Sequence, residues 1–360
     1  MRASPIVLAL SILLGCGSGE SFPSGLAADL QTITDENLVL VGSPGITLGV
    51  SIPGHGHVEL ASGIRSVTTM ESMQPADRMR VGSITKAFTV ATLLALEDEG
   101  LVSLDDRANL YVPGLGLPDA ITIRELLNHT AGLFNYTDDV SFVDHIGEPW
   151  TPAQVITWSL DTQYPGHGYI FAPGASYKYS NTNYQVAGLA IEAITGGSYI
   201  DAVRPRTIDR VGLRHVGLDG FGVSTTDYVD GHQGYDTVVT DRMDPVWSWA
   251  AGGMVANVSD LCVWAEALYR GDLLSPEDRA SLVAITPQSV ASGIDLYGLG
   301  TMQVTRGGRS VVGHTGSTDG FRAEVFIDLD TGLCVAVLAN DFFSSPKAVA
   351  EPVWEALSAY

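Results

Sequence analysis

A tetrapeptide, Ser83-Ile84-Thr85-Lys86, leads into a largely apolar run from Ala87 through Leu96, and this junction constrains the fold more than any other segment. If the run is an α-helix, residues three apart share a face, and the Ser83 hydroxyl comes within hydrogen-bonding reach of the Lys86 amine. So apolar a helix buries at least one face, which takes the lysine into the interior with it. Burial disfavours the ammonium form, and a neutral amine beside a hydroxyl is the adjacent base that a serine nucleophile needs. Taken singly, Ser83 reads as a helix N-cap and Lys86 as a solvated charge. The chain has only three lysines against sixteen arginines, however, so an accidental S-x-x-K is less expected here than in most chains.

Two distant clusters supply what this pair lacks. Tyr179-Ser180-Asn181, read as a tight turn, points a phenol and an amide toward one cavity, a proton-transfer group beside a donor and acceptor. Ordinary packing competes for Tyr179, which lies in the aromatic stretch Tyr177 to Tyr184. His314-Thr315-Gly316-Ser317 follows the apolar Val311-Val312 and reads as a strand turning into the glycine-rich loop Ser317-Thr318-Asp319-Gly320. Gly316 permits close backbone approach, so the Ser317 N–H is a candidate oxyanion donor beside that of Ser83.

With these elements the chain resembles the penicillin-recognising serine hydrolases: class C β-lactamases, D-Ala-D-Ala carboxypeptidases and related esterases. Further stretches carry the likeness in the family's order: Ile123-Arg124-Glu125-Leu126-Leu127-Asn128-His129-Thr130-Ala131-Gly132-Leu133, Tyr179-Ser180-Asn181-Thr182-Asn183-Tyr184 with Val186-Ala187-Gly188, and Ala251-Gly252-Gly253-Met254-Val255 with Ser259-Asp260-Leu261. It covers roughly residues 30 to 345. The resemblance implies that Ser83 is acylated by an amide, ester or lactam carbonyl, with Lys86 and Tyr179 sharing acid/base work; which of them is the base stays open. Asn181, His314 and Thr315 would bind substrate, and the Ser83 and Ser317 amides would form the oxyanion hole, roughly 3–4 kcal/mol per donor in a comparable hydrolase. His314 stands where class C β-lactamases carry lysine, which makes the local charge conditional. In this it is similar to certain carboxypeptidases and esterase-type relatives, and efficient antibiotic hydrolysis is not expected. His129 is assigned a structural role.

A formal net charge of −22 over 360 residues argues against nucleic-acid partners, because a polyanion would be repelled. The expected partner is a small-molecule or peptide substrate, a peptidoglycan stem peptide or a β-lactam by family likeness. No cofactor and no metal site is expected: His55 and His57 occupy a glycine-rich turn without ligand spacing. At the N-terminus, Arg2, the apolar Ile6 to Leu14 and Leu13-Leu14-Gly15-Cys16 resemble a lipoprotein signal in which Cys16 is lipidated. Residues 17–25 would be a tether, and the enzyme would be exported and membrane-anchored; a cleaved secretory signal is the alternative. Cys262, on an expected helix, and Cys334, on an expected strand, could pair or remain free thiols.

The patterning predicts an α/β (α+β) domain, residues 26–345, of the β-lactamase/transpeptidase-like kind. A helix near Leu26 to Leu40 precedes two strands, Ile46 to Ile52 and Val58 to Ile64. Three more strands near Ser310 to His314, Ala323 to Asp328 and Leu333 to Ala339 precede a helix from Pro346 to Leu357. Hairpin and meander would join in one antiparallel sheet flanked by the terminal helices, with a largely helical insertion. The α/β part is then discontinuous, about 26–82 and 240–360, and the helical part runs about 83–239. The functional expectation is a serine hydrolase acting through an acyl-enzyme, most like a D-Ala-D-Ala carboxypeptidase or β-lactamase-related peptidase. An esterase of short acyl chains and a non-catalytic cell-wall binding or sensing protein are the alternatives.

Overall fold

The computed structural model describes residues 22–360. The signal-like segment, Cys16 and residues 17–21 of the expected tether lie outside the described residues. Among the described residues there are eleven strands: β1 Gly45–Ile52, β2 Gly56–Gly63, β3 Met79–Arg80, β4 Gly217–Asp219, β5 Gly222–Val223, β6 Met254–Ala256, β7 Leu296–Tyr297, β8 Met302–Arg306, β9 Arg309–Thr318, β10 Phe321–Ile327 and β11 Cys334–Ala339. Seven form one antiparallel sheet in the order β2-β1-β11-β10-β9-β8-β7. The N-terminal hairpin and the C-terminal meander thus meet at the β1–β11 seam, where Ile46 pairs with Ala339 and Ser51 with Cys334.

The strand period of two explains why both faces of this sheet are covered. On β11, Val335, Val337 and Ala339 face one core, with Ile46, Leu48 and Val50 of β1 and Trp354 of the C-terminal helix Lys347–Ala356. Cys334, Ala336 and Leu338 face the other core, with Leu261 and Trp264 of the helix Val258–Tyr269. Each buried aliphatic side chain contributes about 1.5–3 kcal/mol, so a continuous apolar strand fits only a doubly covered position. The N-terminal helix Ser24–Val41 packs beside Lys347–Ala356 on the first face.

Some features depart from the expected pattern. The middle of the chain holds helices at Thr85–Asp98, Pro152–Leu160 and Asn181–Thr195, but it also contributes β4 and β5 to a small second sheet, β3-β6-β4-β5. The buried ion pair Arg80–Asp219, 2.7 Å, ties β3 to β4. β7 and β8 extend the main sheet beyond the expected strands. Strand β9 continues through Ser317 to Thr318, so the turn to β10 is only Asp319-Gly320. Cys262 and Cys334 are buried free thiols. No single helix among the described residues is long and apolar enough to cross a membrane.

Candidate active site

Ser83 sits in a 3₁₀ turn, Gly82–Ile84, that feeds directly into the helix Thr85–Asp98. The turn is anchored from within and from outside: the Thr85 hydroxyl donates to the Gly82 carbonyl at 2.7 Å and accepts the Met254 N–H at 2.9 Å. Two glycines let this turn press against β9. Gly82 has φ +53°, and a Cβ there would lie 2.6 Å from the Ser317 nitrogen. A Cβ on Gly316 would lie 2.0 Å from the Val81 carbonyl oxygen. No larger residue fits at either position without moving backbone, and the approach brings the Ser317 amide beside the nucleophile turn.

Lys86 is fully buried. Its Nζ lies 2.9 Å from Ser83 Oγ, 2.7 Å from Asn181 Oδ1 and 2.6 Å from the Ala251 carbonyl oxygen. Burial lowers its pKa well below the usual lysine value. A neutral amine has two N–H donors and one lone pair. As an ammonium Lys86 donates to all three oxygens; once neutral, the amide and backbone oxygens, which can only accept, take both donors and the lone pair faces the Ser83 hydroxyl.

Asn181 is the first residue of the helix Asn181–Thr195, not part of a tight turn, with Ser180 extended at its N-cap. Its backbone N–H donates to Asn135 Oδ1 at 2.9 Å and its Nδ2 to Thr137 Oγ1 at 3.1 Å, which fixes Oδ1 toward Lys86. Tyr179 precedes this helix, hydrogen-bonded to Ser83, with its phenol pKa pushed far up by burial. The Tyr179 ring rests on His129 at a centroid distance of 4.2 Å. His129 has φ +62° and accepts the Ser180 N–H at Nδ1, 3.1 Å, so it holds the chain between Tyr179 and Asn181.

His314 is buried behind this group. A carbonyl can only accept, so the contact of Nδ1 with the Thr315 oxygen places a proton on Nδ1. Nε2 then accepts from the Tyr297 hydroxyl at 2.9 Å. Burial, with a positive charge on Lys86 adding to it whenever that amine is protonated, pushes the ring's pKa down to about 3, so the imidazole is neutral. The Thr315 hydroxyl contacts Met302 Sδ at 3.6 Å.

A cavity of about 500 Å³ opens over the nucleophile. Ser83, Tyr179, Asn181 and Ser317 line it; His314 and Thr315 do not. Tyr136 and Trp247 form an aromatic wall, backed by Phe142, Trp150 and Trp158. On the rim the Arg242 guanidinium grips the Asp319 carboxylate through Nε, 2.9 Å, and Nη2, while Nη1 donates to Gln233 Oε1 at 2.9 Å. Asn135 and Arg242 carry functional geometry that no residue pattern marked. Ala251 and Asp319 lie in stretches the residues did mark, but without a role for either, and His129 holds the backbone at Ser180, the structural role expected of it. Among the described residues no group of three or more His, Cys, Asp or Glu side chains could hold a metal ion.

Residues 36–359 match the family model described as Beta-lactamase. A curated D-aminopeptidase from Cereibacter sphaeroides is 28% identical over 323 residues, 88% of this chain and 61% of that protein. The chain spans about three-fifths of the length of the curated relatives it matches. Among solved structures, a D-stereospecific amidohydrolase from Streptomyces sp. superposes with TM-score 0.77 at 29% identity, covering 90% of this chain and 97% of that one. D-amino acid amidase from Ochrobactrum anthropi SV3, complexed with L-phenylalanine amide, superposes with TM-score 0.81 at 26% identity, covering 93% and 98%. The family match takes in nearly the whole chain and the superpositions share its sheet and helices; the chain belongs to the β-lactamase family of penicillin-recognising serine hydrolases.

Proposed function

We propose that this protein hydrolyses small amides and esters of D-configured amino acids through an acyl-enzyme on Ser83. The observation that carries the proposal is the shell of three oxygens around the buried Lys86 amine: once the amine is neutral, the Asn181 and Ala251 oxygens, which can only accept, hold its N–H groups and leave its lone pair for the Ser83 hydroxyl. In this reading Lys86 is the base that deprotonates Ser83 as it attacks the carbonyl. Tyr179, whose phenol stays protonated, is the acid that delivers a proton to the leaving amine or alcohol. The Ser83 and Ser317 amides receive the oxyanion; the proton held by Lys86 then returns to the Tyr179 phenolate, and the neutral amine activates the water that releases the acid product. The preference for D-substrates rests on the D-stereospecific amidohydrolase and the D-amino acid amidase that superpose on the chain, and the aromatic wall of Tyr136 and Trp247 suits an apolar side chain. A net charge of −22 favours the approach of amino acid amides, which are cations at neutral pH.

The carboxypeptidase and β-lactamase readings require recognition of a substrate carboxylate, and His314, neutral and turned toward Tyr297, offers it no cation. The test is steady-state hydrolysis of D- and L-phenylalanine amide. The D-enantiomer should be turned over with at least about tenfold higher kcat/KM, and activity should vanish in Ser83→Ala. Equal turnover of both enantiomers, or activity that survives in Ser83→Ala, contradicts the assignment.

A further inference from the structure

The cavity over Ser83 is lined by two charged residues, Arg242 and Asp319, and they are committed to each other. Asp319 sits in the two-residue turn between β9 and β10, two positions after Ser317, and its side chain is 7% exposed. The Arg242 side chain is 40% exposed and faces the cavity. Nε and Nη2 form a bidentate pair with Asp319, the geometry in which guanidinium binds carboxylate most strongly. Gln233 occupies Nη1. Three of the five guanidinium N–H donors are thus taken, and a substrate carboxylate reaching the other two would meet the Asp319 charge beside them. The internal carboxylate is held by the β9–β10 ladder, whose last rung pairs Thr318 with Phe321, so it loses little freedom on pairing, whereas a ligand must be immobilised.

From this arrangement we infer that Asp319 masks Arg242 and thereby makes the site select substrates without a carboxylate at the β9–β10 rim. The inference rests on the proposed hydrolase reading and adds its charge specificity. Free Arg242 would be a carboxylate receptor on the rim of the cavity that holds Ser83; clamped, it leaves amides and esters favoured over acids. Asp319 acts here through Arg242 and is a positioning residue, so its effect depends on the arginine being present.

The test uses N-acetyl-D-alanyl-D-alanine and its C-terminal carboxamide, which differ only in the terminal charge. Binding is measured by calorimetry in a Ser83→Ala background, where turnover cannot distort it. The parent should prefer the carboxamide. Adding Asp319→Asn should shift the acid-to-carboxamide affinity ratio toward the acid by about tenfold or more, the worth of a hydrogen-bonded ion pair. Adding Arg242→Gln as well should cancel that gain. Asp319→Ser, a second way to free the guanidinium, should give the same shift and tests the masking even if Asp319→Asn fails to fold. An unchanged ratio in both Asp319 variants, a shift that survives Arg242→Gln, or no binding of either peptide to any variant overturns the inference. Hydrolysis of D-phenylalanine amide by the unmutated enzyme decides the hydrolase reading separately, so the two can fail independently.

Discussion

Volume does not single out the cavity that holds the nucleophile. A cavity of about 600 Å³ lies between β1, β2 and the helix Val258–Tyr269, larger than the 500 Å³ space over Ser83. Its charged side chains meet partners only in pairs: His57 lies 3.7 Å from Glu59, Glu266 lies 3.4 Å from Arg270, and Arg210 reaches the Asp272 carbonyl at 3.5 Å. At Ser83, by contrast, groups from the Gly82–Ile84 turn, the Asn181–Thr195 helix and the segment around Ala251 converge on one amine, and burial shifts the titration of Lys86, Tyr179 and His314. Convergence of polar groups on a point, with proton affinities moved by burial, marks a catalytic centre better than volume does.

Paired substitutions in the two cavities test that contrast. Ser83→Ala should lower hydrolysis of a chromogenic ester by about 10⁴-fold or more, while Ser259→Ala, in the larger cavity, leaves it within about twofold; comparable losses would erase the distinction. Next in size, Lys86→Met keeps the volume but removes the lone pair, and kcat should fall by about 10²–10⁴-fold, against less than about threefold for Arg210→Met. The same pair carries a pH signature. Lys86 acts as the neutral amine, so kcat/KM for an uncharged ester should rise with pH as Lys86 loses its proton, below the ordinary lysine value because burial lowers it, and Lys86→Met should lack this acid limb. An identical limb in the variant would assign it to another group.

Gly316→Ala should cost about 10²-fold in kcat, the order expected when one oxyanion donor is displaced, together with a measurable loss of thermal stability, because its Cβ has no space beside Val81. Normal activity would mean that the β9 contact is not needed. For His314 the expected effect is on stability and not on turnover. Its folded pKa is near 3 against 6.5 in a free histidine, so between those values the unfolded chain is protonated and the folded one is not. Stability should therefore fall as pH drops from 6.5 toward 3, by at most about 1.4 kcal/mol per pH unit. Urea titrations of His314→Gln should show a flatter dependence, and an unchanged slope would place the titration elsewhere.

How much of this was visible in the residues follows the range of the interactions. The Ser83–Lys86 pair is three positions long, and its spacing alone implied the contact. The doubly buried β11 and the β1–β2 hairpin carry periodicities strong enough to read. β7 has only two residues and β8 mixes Gln303, Thr305 and Arg306 at the sheet edge, so neither has an apolar signal. Tyr179-Ser180-Asn181 gives the polar groups but not the backbone: Ser180 is extended because a helix starts at Asn181, and that start depends on Asn135. The Ala251 carbonyl is main chain and leaves no trace in residue type. Arg242 and Asp319 are 77 positions apart, and each alone reads as a surface charge.

The most direct test of the acyl-enzyme is a quenched reaction with D-phenylalanine methyl ester, followed by peptide mapping and mass spectrometry. The account predicts a D-phenylalanyl ester on the peptide that contains Ser83, absent from Ser83→Ala. Steady turnover with no adduct on that peptide under rapid quenching, or an adduct on any other residue, would contradict it.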